Sequence, residues 1–334
     1  MIRVAINGFG RIGRSVYRIL SLRDDVDVAV VNDLAEHEGL AYLLRYDTVM
    51  GPYPGEVTLK DGTLKAGTQE TRMTAIADPS AAPWKEEGID FVVESTGIFR
   101  ARKQLEQHLD AGAKRVVLTV PAKDEIDATV VLGVNDAELK PEHRIVSNAS
   151  CTTNCLAPVA KVLNDNFGIV RGVMTTVHAY TNDQRLADVP HKDLRRSRAA
   201  AENIIPTTTG AARAVGQVLP ELKGKLDGMA MRVPVPDGSV VDLVVVLDKS
   251  PTVADIQDAV RAAAEGPMKT VLEYCTEPVV SSDIIGNPHS SIFDSDSTQV
   301  GGAQMARILS WYDNEWGYSN RVVDLIDRLA ALDS

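Results

Sequence analysis

The chain is short of cysteine, of long apolar runs and of basic charge, and each shortage removes a class of function. Three cysteines in 334 residues, Cys151, Cys155 and Cys275, are too few and too unevenly spaced for a disulfide framework, which makes a reducing cytoplasm the simplest setting. No stretch approaches the roughly 18 consecutive apolar residues that cross a bilayer. The opening Met1-Ile2-Arg3-Val4 reaches Asn7-Gly8 without the charged region, apolar stretch and cleavage site of a secretory signal. A net charge of −11 argues against nucleic acid or anionic membrane as general partners, although a local basic patch can still hold a phosphate. Internal repeats and low-complexity tracts are also missing.

What remains has the composition of an ordinary globular protein, 44% hydrophobic and 24% charged, and exceeds the length at which one core stops growing. Two domains are expected. Ile2–Asn7 is a short apolar run ending at glycines, Arg11–Leu22 places Ile12, Val16, Ile19 and Leu20 on one helical face, and Val26–Asn32 is a second apolar run. Strand, helix and strand in about thirty residues make a right-handed crossover unit. A helix over Glu38–Arg45, a hairpin over Val57–Lys65 turning at Asp61-Gly62, strands at Ile89–Glu94 and Arg115–Val120, and a helix over Arg102–Asp110 closed by Gly112 extend the pattern. With apolar runs at Thr129–Val134 and Arg144–Ser147, residues 1–149 read as a Rossmann-type, doubly wound α/β domain.

Residues 150–314 differ. Strand candidates at Ile169–Tyr180, Gly228–Val235, Ser239–Asp248 and Ala303–Tyr312 lack a helix after each, which predicts an α+β domain with a largely antiparallel sheet. Helices are expected to start at Cys151, Gly210 and Thr252. The polar stretch from Thr181 to Ile205 is long for a loop, as functional or interface loops are. The closing segment 315–334 has helical spacing and is expected to pack back on the first domain.

Gly8-Phe9-Gly10-Arg11-Ile12-Gly13 follows a strand and opens a helix, as a dinucleotide fingerprint does. Gly8 allows the tight turn, Gly10 lets backbone approach a pyrophosphate, and Gly13 lets helix and strand pack closely. Asp33, twenty residues after Gly13, ends the second strand, where its carboxylate suits ribose hydroxyls and repels a 2′-phosphate. NAD is favoured over NADP.

Ser147-Asn148-Ala149-Ser150-Cys151-Thr152-Thr153-Asn154-Cys155 joins a strand to a helix. Ser150 is a suitable cap, so Cys151 falls in the first turn, where the helix dipole is expected to acidify its thiol. His178, ending an apolar run, is the histidine best placed to assist as a base. Cys155, one helical turn further in, and Cys275 read as core residues. A metal site made from Cys151, Cys155 and His178 lacks an evident fourth ligand.

The runs AINGFGRIGR, SNASCTTNC, TTVHAYTNDQR, PHKDLRRSRAAAENIIPTTTGAA and SWYDNEWGYS resemble the phosphorylating glyceraldehyde-3-phosphate dehydrogenases of bacterial type, essentially end to end. The resemblance implies an NAD-dependent oxidation of glyceraldehyde 3-phosphate to 1,3-bisphosphoglycerate in glycolysis and gluconeogenesis. Cys151 would form a hemithioacetal and then a thioester, with His178 as base and inorganic phosphate as the second nucleophile. It implies Thr181 and Arg232 for the substrate phosphate, and Ser150, Thr152, Arg196, Thr209 and Gly210 for the attacking phosphate. Arg11, Ile12, Asp33, Thr119 and Asn314 match cofactor positions, and Val189-Pro190 stands where an apolar residue and proline accompany NAD preference. Homotetramers in which the Thr181–Ile205 loop reaches a neighbouring subunit's cofactor are implied as well. Ala77 departs from the many bacterial members that carry a basic residue there, near the adenine. Erythrose-4-phosphate dehydrogenase is the nearest alternative, disfavoured by the Thr209–Ala212 run and by Ala179-Tyr180-Thr181. A non-catalytic NAD-binding regulator would have no use for the cysteine, the histidine and both anion sites.

Overall fold

The computed structural model describes residues 1–302 and 304–333. The chain forms two compact units: Met1–Val130 with Ala137–Ala149 and the stretch from Ser319 onward, and Val131–Asp136 with Ser150–Tyr318. The excursion at Val131–Asp136, and the run of the second unit on to Tyr318, are not foreseen in the sequence.

The first unit contains β1 (Ile2–Asn7), α1 (Arg11–Leu20), β2 (Val26–Asn32), α2 (His37–Arg45), β3 (Val57–Lys60), β4 (Thr63–Ala66), β5 (Gln69–Thr74), β6 (Phe91–Glu94), α3 (Arg102–Asp110), β7 (Arg115–Leu118), β8 (Ala128–Thr129) and β9 (Ile145–Ser147). Its sheet runs β3-β4-β5-β2-β1-β6-β7-β9-β8 and is parallel from β5 to β8. β6, β7 and β9 are buried along their whole length, which is why they read as unbroken apolar runs without alternation. The β3–β4 hairpin turns at Asp61 and Gly62, both at positive φ, as a two-residue turn of matching twist requires.

Two expectations fail for physical reasons. β5 escapes notice because its sequence, QETRMT, is polar. Yet Gln69 and Thr71 are buried, and their side chains bond the backbone of β2: Gln69 Oε1 accepts from Val28 N at 2.8 Å and Thr71 Oγ1 donates to Val28 O at 2.7 Å. The apolar run Thr129–Val134 is not a strand beyond Ala128–Thr129. The chain turns there, with Gly133 at positive φ and Val134 N bonded to Val131 O.

A buried polar network ties the ends of β1 and β6 together. The Glu94 carboxylate, at 0% exposure, accepts from Asn7 Nδ2 at 2.6 Å, from Thr96 N at 2.9 Å and from the Thr96 hydroxyl. His108 Nε2 lies 3.1 Å away, while Trp84 Nε1 donates to His108 Nδ1 at 3.0 Å, so the imidazole proton sits on Nε2 and points at Glu94. A carboxylate this deep is tolerated because its lone pairs are filled.

The second unit contains α4 (Cys151–Phe167), β10 (Ile169–Ala179), β11 (Ile205–Thr208), α5 (Ala211–Val218), β12 (Leu226–Val233), β13 (Ser239–Leu247), α6 (Val253–Glu265), β14 (Leu272–Cys275), β15 (Ser291–Gly301) and β16 (Met305–Tyr312). Its sheet runs β11-β12-β10-β13-β16-β15-β14, antiparallel except at β10–β12 and β14–β15. The strand expected from Ala303 begins at Met305, and Ala303 itself lies outside the described residues. β11, β14 and β15 escape the sequence reading: two are only four residues long, and the third is interrupted by Asp, Ser and a register shift between Asp294 and Gln299.

α7 (Trp316–Ala330) lies inside the expected closing segment 315–334, and Ser334 lies outside the described residues. Arg23 binds Asp327 at 2.7 Å and Arg115 binds Asp333 at 2.6 Å, which fasten the stretch after Ser319 to the first unit.

Glu94→Ala leaves three side chains and a backbone N–H without an acceptor. It is expected to destabilise the protein by about 3–5 kcal/mol, read from the urea midpoint, with Glu94→Gln milder because it keeps an acceptor and the volume.

Candidate active site

In the first unit the glycine turn leads from β1 into α1. Gly8 takes φ +96°, and a Cβ there would come within 2.6 Å of Thr96 N. A Cβ on Gly13 would lie 2.1 Å from Gly8 O, whereas one on Gly10 would meet nothing within 4 Å. Two glycines are therefore required by the protein's own packing, while Gly10 faces open space. Asp33 braces the turn by accepting from Phe9 N at 2.7 Å. A cleft of about 290 Å³ lies alongside, lined by Gly8, Gly10, Asp33, Ala77, Ser95 and Thr96 among others, with no basic residue in its lining.

This arrangement fits a dinucleotide. The opening at Gly10 admits a pyrophosphate against the start of α1, and the Asp33 carboxylate keeps lone pairs for ribose hydroxyls. The lack of a cation in the cleft disfavours a 2′-phosphate. Ala77 lines it and brings no charge to it. Arg11 turns its guanidinium to Asp47, so its side chain is committed within the protein. Ile12 follows it in the first turn of α1, and Thr119, just after β7, donates to Glu94 O at 3.0 Å outside the cleft lining.

In the second unit, Ser150 caps α4 by accepting from Thr153 N at 3.1 Å, and Cys151 is the first helical residue. Ala149, just before the cap, holds φ +54°, a left-handed conformation rare for a residue with a Cβ and typical of strained functional turns. His178 ends β10. The Cys151 Sγ to His178 Nε2 distance is 3.6 Å, so the expected pair is in contact. His178 Nδ1 lies 2.7 Å from Ala179 O and also against Arg232 Nη1, a donor; only the tautomer that donates to Ala179 O presents an Nε2 lone pair to the sulfur.

Sheet register builds the surroundings. Ile205 faces Arg232, Arg232 faces His178, Val177 faces Val240, and Ser239 faces Tyr312, so β11, β12, β10, β13 and β16 deliver side chains to one level. Arg232 Nη1 touches His178 Nδ1 and donates to Ala179 O at 3.1 Å. Tyr312 was not singled out from the sequence. Its hydroxyl is 2.8 Å from Thr152 Oγ1 and 2.9 Å from Thr176 Oγ1, and its ring stands edge-on to His178. Ser239 was missed too: it accepts from Ala179 N at 3.0 Å and donates to Asn314 Oδ1 at 2.6 Å. That bond fixes Oδ1 as the acceptor end of the Asn314 amide and leaves Nδ2 as its donor end. A serine between a glycine and a valine run carries no sequence signal of such a role.

The electrostatics correct one expectation. Burial pushes the Cys151 thiol up, against the smaller downward pulls of Arg232 and Thr152, although part of the residue's surface stays exposed. Burial and the adjacent Arg232 charge push the His178 imidazole down to about 3. Burial thus favours the uncharged form of both groups and opposes the acidifying pull expected from the helix start. The helix dipole acts at the sulfur, but desolvation outweighs it.

The anion-site residues divide differently from expectation. Thr181 and Arg196, assigned to separate phosphates, meet on one carboxylate: both the Thr181 hydroxyl and Arg196 Nη1 bind Asp183. Arg196 Nε donates to Thr207 Oγ1 at 2.9 Å. Thr209 accepts from Ala211 N at 3.2 Å, and Gly210 is the cap residue of α5. Arg232 Nε and Gln184 Nε2 are buried donors that find no acceptor among the described residues, as groups awaiting an anion would be.

Known proteins share these features. The family model for the NAD binding domain of glyceraldehyde 3-phosphate dehydrogenase matches residues 2–102, and that for its C-terminal domain matches residues 150–314. The glyceraldehyde-3-phosphate dehydrogenase of Mycolicibacterium smegmatis is 56% identical over 333 residues, 97% of either chain. The chain belongs to the glyceraldehyde-3-phosphate dehydrogenase family. The enzyme of Geobacillus stearothermophilus is equally similar, 56% over 331 residues covering 99% of this chain and 98% of its own, and so is that of Mycobacterium avium, 56% over 332 residues and 97% of either chain. As a member of this family the protein is an NAD-dependent oxidoreductase, and the cleft beside Gly10 belongs to its NAD-binding domain.

The two glycine substitutions separate fold from cofactor. Gly10→Ala is expected to melt within about 1 °C of the parent yet bind NAD at least tenfold more weakly, because a methyl there fills only ligand space. Gly13→Ala is expected to lower the melting temperature as well. Thermal melts and NAD titrations on both proteins test this; equal effects in the two would refute it.

Proposed function

We propose that this dehydrogenase converts D-glyceraldehyde 3-phosphate and inorganic phosphate to 1,3-bisphosphoglycerate, with Cys151 as nucleophile and His178 as general base. The carrying observation is the 3.6 Å approach of Cys151 Sγ to a neutral imidazole nitrogen at a helix start.

With burial holding the Cys151 thiol up, attack and deprotonation are coupled in one event. As sulfur bonds the aldehyde carbon, its proton moves by way of His178 Nε2 to the former carbonyl oxygen, giving a hemithioacetal. Bound NAD supplies the hydride acceptor. As hydride leaves the carbon, His178 takes the hydroxyl proton and a thioester remains on Cys151. Phosphate oxygen then attacks the thioester, the C–S bond breaks, and the proton on His178 returns to sulfur. The backbone N–H of Cys151 and the imidazole stabilise the oxyanion in the addition steps.

Arg232, with its spare Nε, and Thr181 bind the substrate phosphate; Ser150, Thr152, Arg196, Thr209 and Gly210 bind the attacking phosphate. Burial is the larger cause of the depressed His178 imidazole; an anion on Arg232 would offset the smaller contribution of its charge. Asn314, its amide oriented by Ser239, serves the cofactor.

The reaction fits a cytoplasmic enzyme; among the described residues no helix is long and apolar enough to cross a membrane. A homotetramer is supported by exposed apolar residues on the Thr181–Ile205 loop, Leu186, Val189, Leu194 and Ile204, and by Val173 and Met229 on the open side of the second sheet.

Cys151→Ser is expected to abolish NAD reduction while retaining NAD binding, and His178→Asn to lower kcat by about 10²–10⁴-fold. Initial rates on glyceraldehyde 3-phosphate and erythrose 4-phosphate, with phosphate present or omitted, provide the readout. Full activity in Cys151→Ser, or a preference for the four-carbon aldehyde without phosphate, overturns the assignment. Sedimentation equilibrium is expected to give four times the 36.1 kDa chain mass; a monomer at micromolar concentration contradicts the tetramer.

A further inference from the structure

The dinucleotide cleft of the first unit is walled by segments that lie far apart in the chain. Asn7 ends β1, Asn32 ends β2, Ile76 follows β5, and Ser95 and Thr96 follow β6; all five line the cleft. A continuous set of hydrogen bonds joins them. Asn32 Nδ2 donates to Asn7 Oδ1 at 2.8 Å and to Ile76 O at 2.9 Å, and Asn32 Oδ1 accepts from Ile76 N and from the Thr74 hydroxyl, each at 2.8 Å. Asn7 Nδ2 donates to Glu94 Oε2 at 2.6 Å, and Glu94 Oε1 takes both the N–H and the hydroxyl of Thr96. Thr96 Oγ1 accepts in turn from Ile98 N at 3.1 Å, and the Ser95 hydroxyl donates to Gly8 O at 2.7 Å, which brings in the glycine turn.

The branches meet on the Glu94 carboxylate. Four donors converge there, two on each oxygen: the N–H and hydroxyl of Thr96 on Oε1, and Asn7 Nδ2 and His108 Nε2 on Oε2. That pattern suits a carboxylate, because an amide in its place must turn a donor toward donors. Glu94 is fully buried and does not line the cleft, so it cannot touch what binds there. Nor does strand packing need a charge at this position. The rest of β6 is Phe91, Val92 and Val93, all buried, and well-packed apolar side chains often serve a core at least as well as buried charges do. What an apolar group could not do is fix a cleft residue on each of two oxygens.

We propose that Glu94 is a positioning residue for the cofactor: its buried carboxylate holds Asn7 and Thr96, and through Asn7 the Asn32–Ile76 contact, in the arrangement that NAD fits. The cleft walls then stand in place before the dinucleotide arrives, and binding avoids the cost of ordering separate strand ends. The remaining arm runs the other way. His108 and Trp84, joined by the bond from Trp84 Nε1 to His108 Nδ1 at 3.0 Å, do not line the cleft, and Trp84 packs in the core with Ala5, Val30 and Val92. This arm anchors the carboxylate, while the Asn7 and Thr96 arms serve the cleft. The inference rests on the NAD-binding cleft alone and not on the roles of Cys151 and His178.

Calorimetric titration of the full chain with NAD, and with ADP-ribose, which lacks the nicotinamide, tests this without turnover. Glu94→Gln keeps the volume, but its amide nitrogen faces either Thr96 or the Asn7–His108 pair, donors in both cases. It is expected to weaken NAD and ADP-ribose alike by about tenfold or more at a temperature where it is fully folded. Trp84→Phe removes the outer bond of the core arm and leaves all four donors on Glu94. It is expected to lower the melting temperature while NAD affinity stays within about twofold of the parent. If Glu94→Gln binds NAD as the parent does and only melts earlier, Glu94 merely stabilises the fold and the proposal fails. It fails too if Trp84→Phe loses as much affinity as Glu94→Gln, since affinity then follows stability, or if NAD is weakened and ADP-ribose is not. Should Glu94→Gln not fold, Glu94→Asp decides. That variant keeps the charge but is one methylene too short to serve Asn7 and Thr96 together, and the same loss on both ligands is expected. Parent-like affinity in it overturns the proposal.

Discussion

The contact between the Cys151 sulfur and the His178 imidazole is maintained by two independent supports that meet at 3.6 Å. One is a helix start, aimed by the left-handed Ala149 and capped by Ser150. The other is the end of a long sheet strand, held in register by β12 on one side and β13 on the other. Neither support is a mobile loop tip. A shift of one residue in either strand pairing would send the imidazole to the opposite face of the sheet, so the register that places Arg232 and Ser239 beside it is part of the chemistry.

That contact is electrically quiet in the free protein. Desolvation favours the uncharged form of both partners, raising the thiol and lowering the imidazole, and Arg232 adds to the second effect. A neutral pair suffers no penalty for burial and is less exposed to oxidation than a standing thiolate.

Much of this was legible in the sequence. The glycine turn, Asp33, the cap at Ser150 and the strand ending at His178 all fall where local pattern and steric need put them, because each is dictated by neighbours close in the chain. What escaped was set at long range. β5 hides its strand character in buried polar side chains that bond β2, and β15 is broken by Asp and Ser residues whose partners lie elsewhere in the sheet. Tyr312 and Ser239 reach the site only because β16 and β13 are adjacent. The opposing effect of burial on the Cys151 thiol was hidden for the same reason: a helix start can be read from four residues, whereas desolvation is the sum of everything packed around the sulfur.

The carboxylate of Asp183, gripped by Thr181 and Arg196, has a bearing on how selective this protein is toward small anions. In the proposed phosphate role, an incoming oxyanion would have to displace a tethered one already in place, so what would count is the difference between two attractions. Singly charged solutes such as chloride gain little from the trade, while a doubly charged phosphate with several acceptor oxygens gains more. The tethered group thus acts as a built-in competitor, keeping the guanidinium from being occupied by whatever salt is most abundant and leaving it responsive to a stronger ligand.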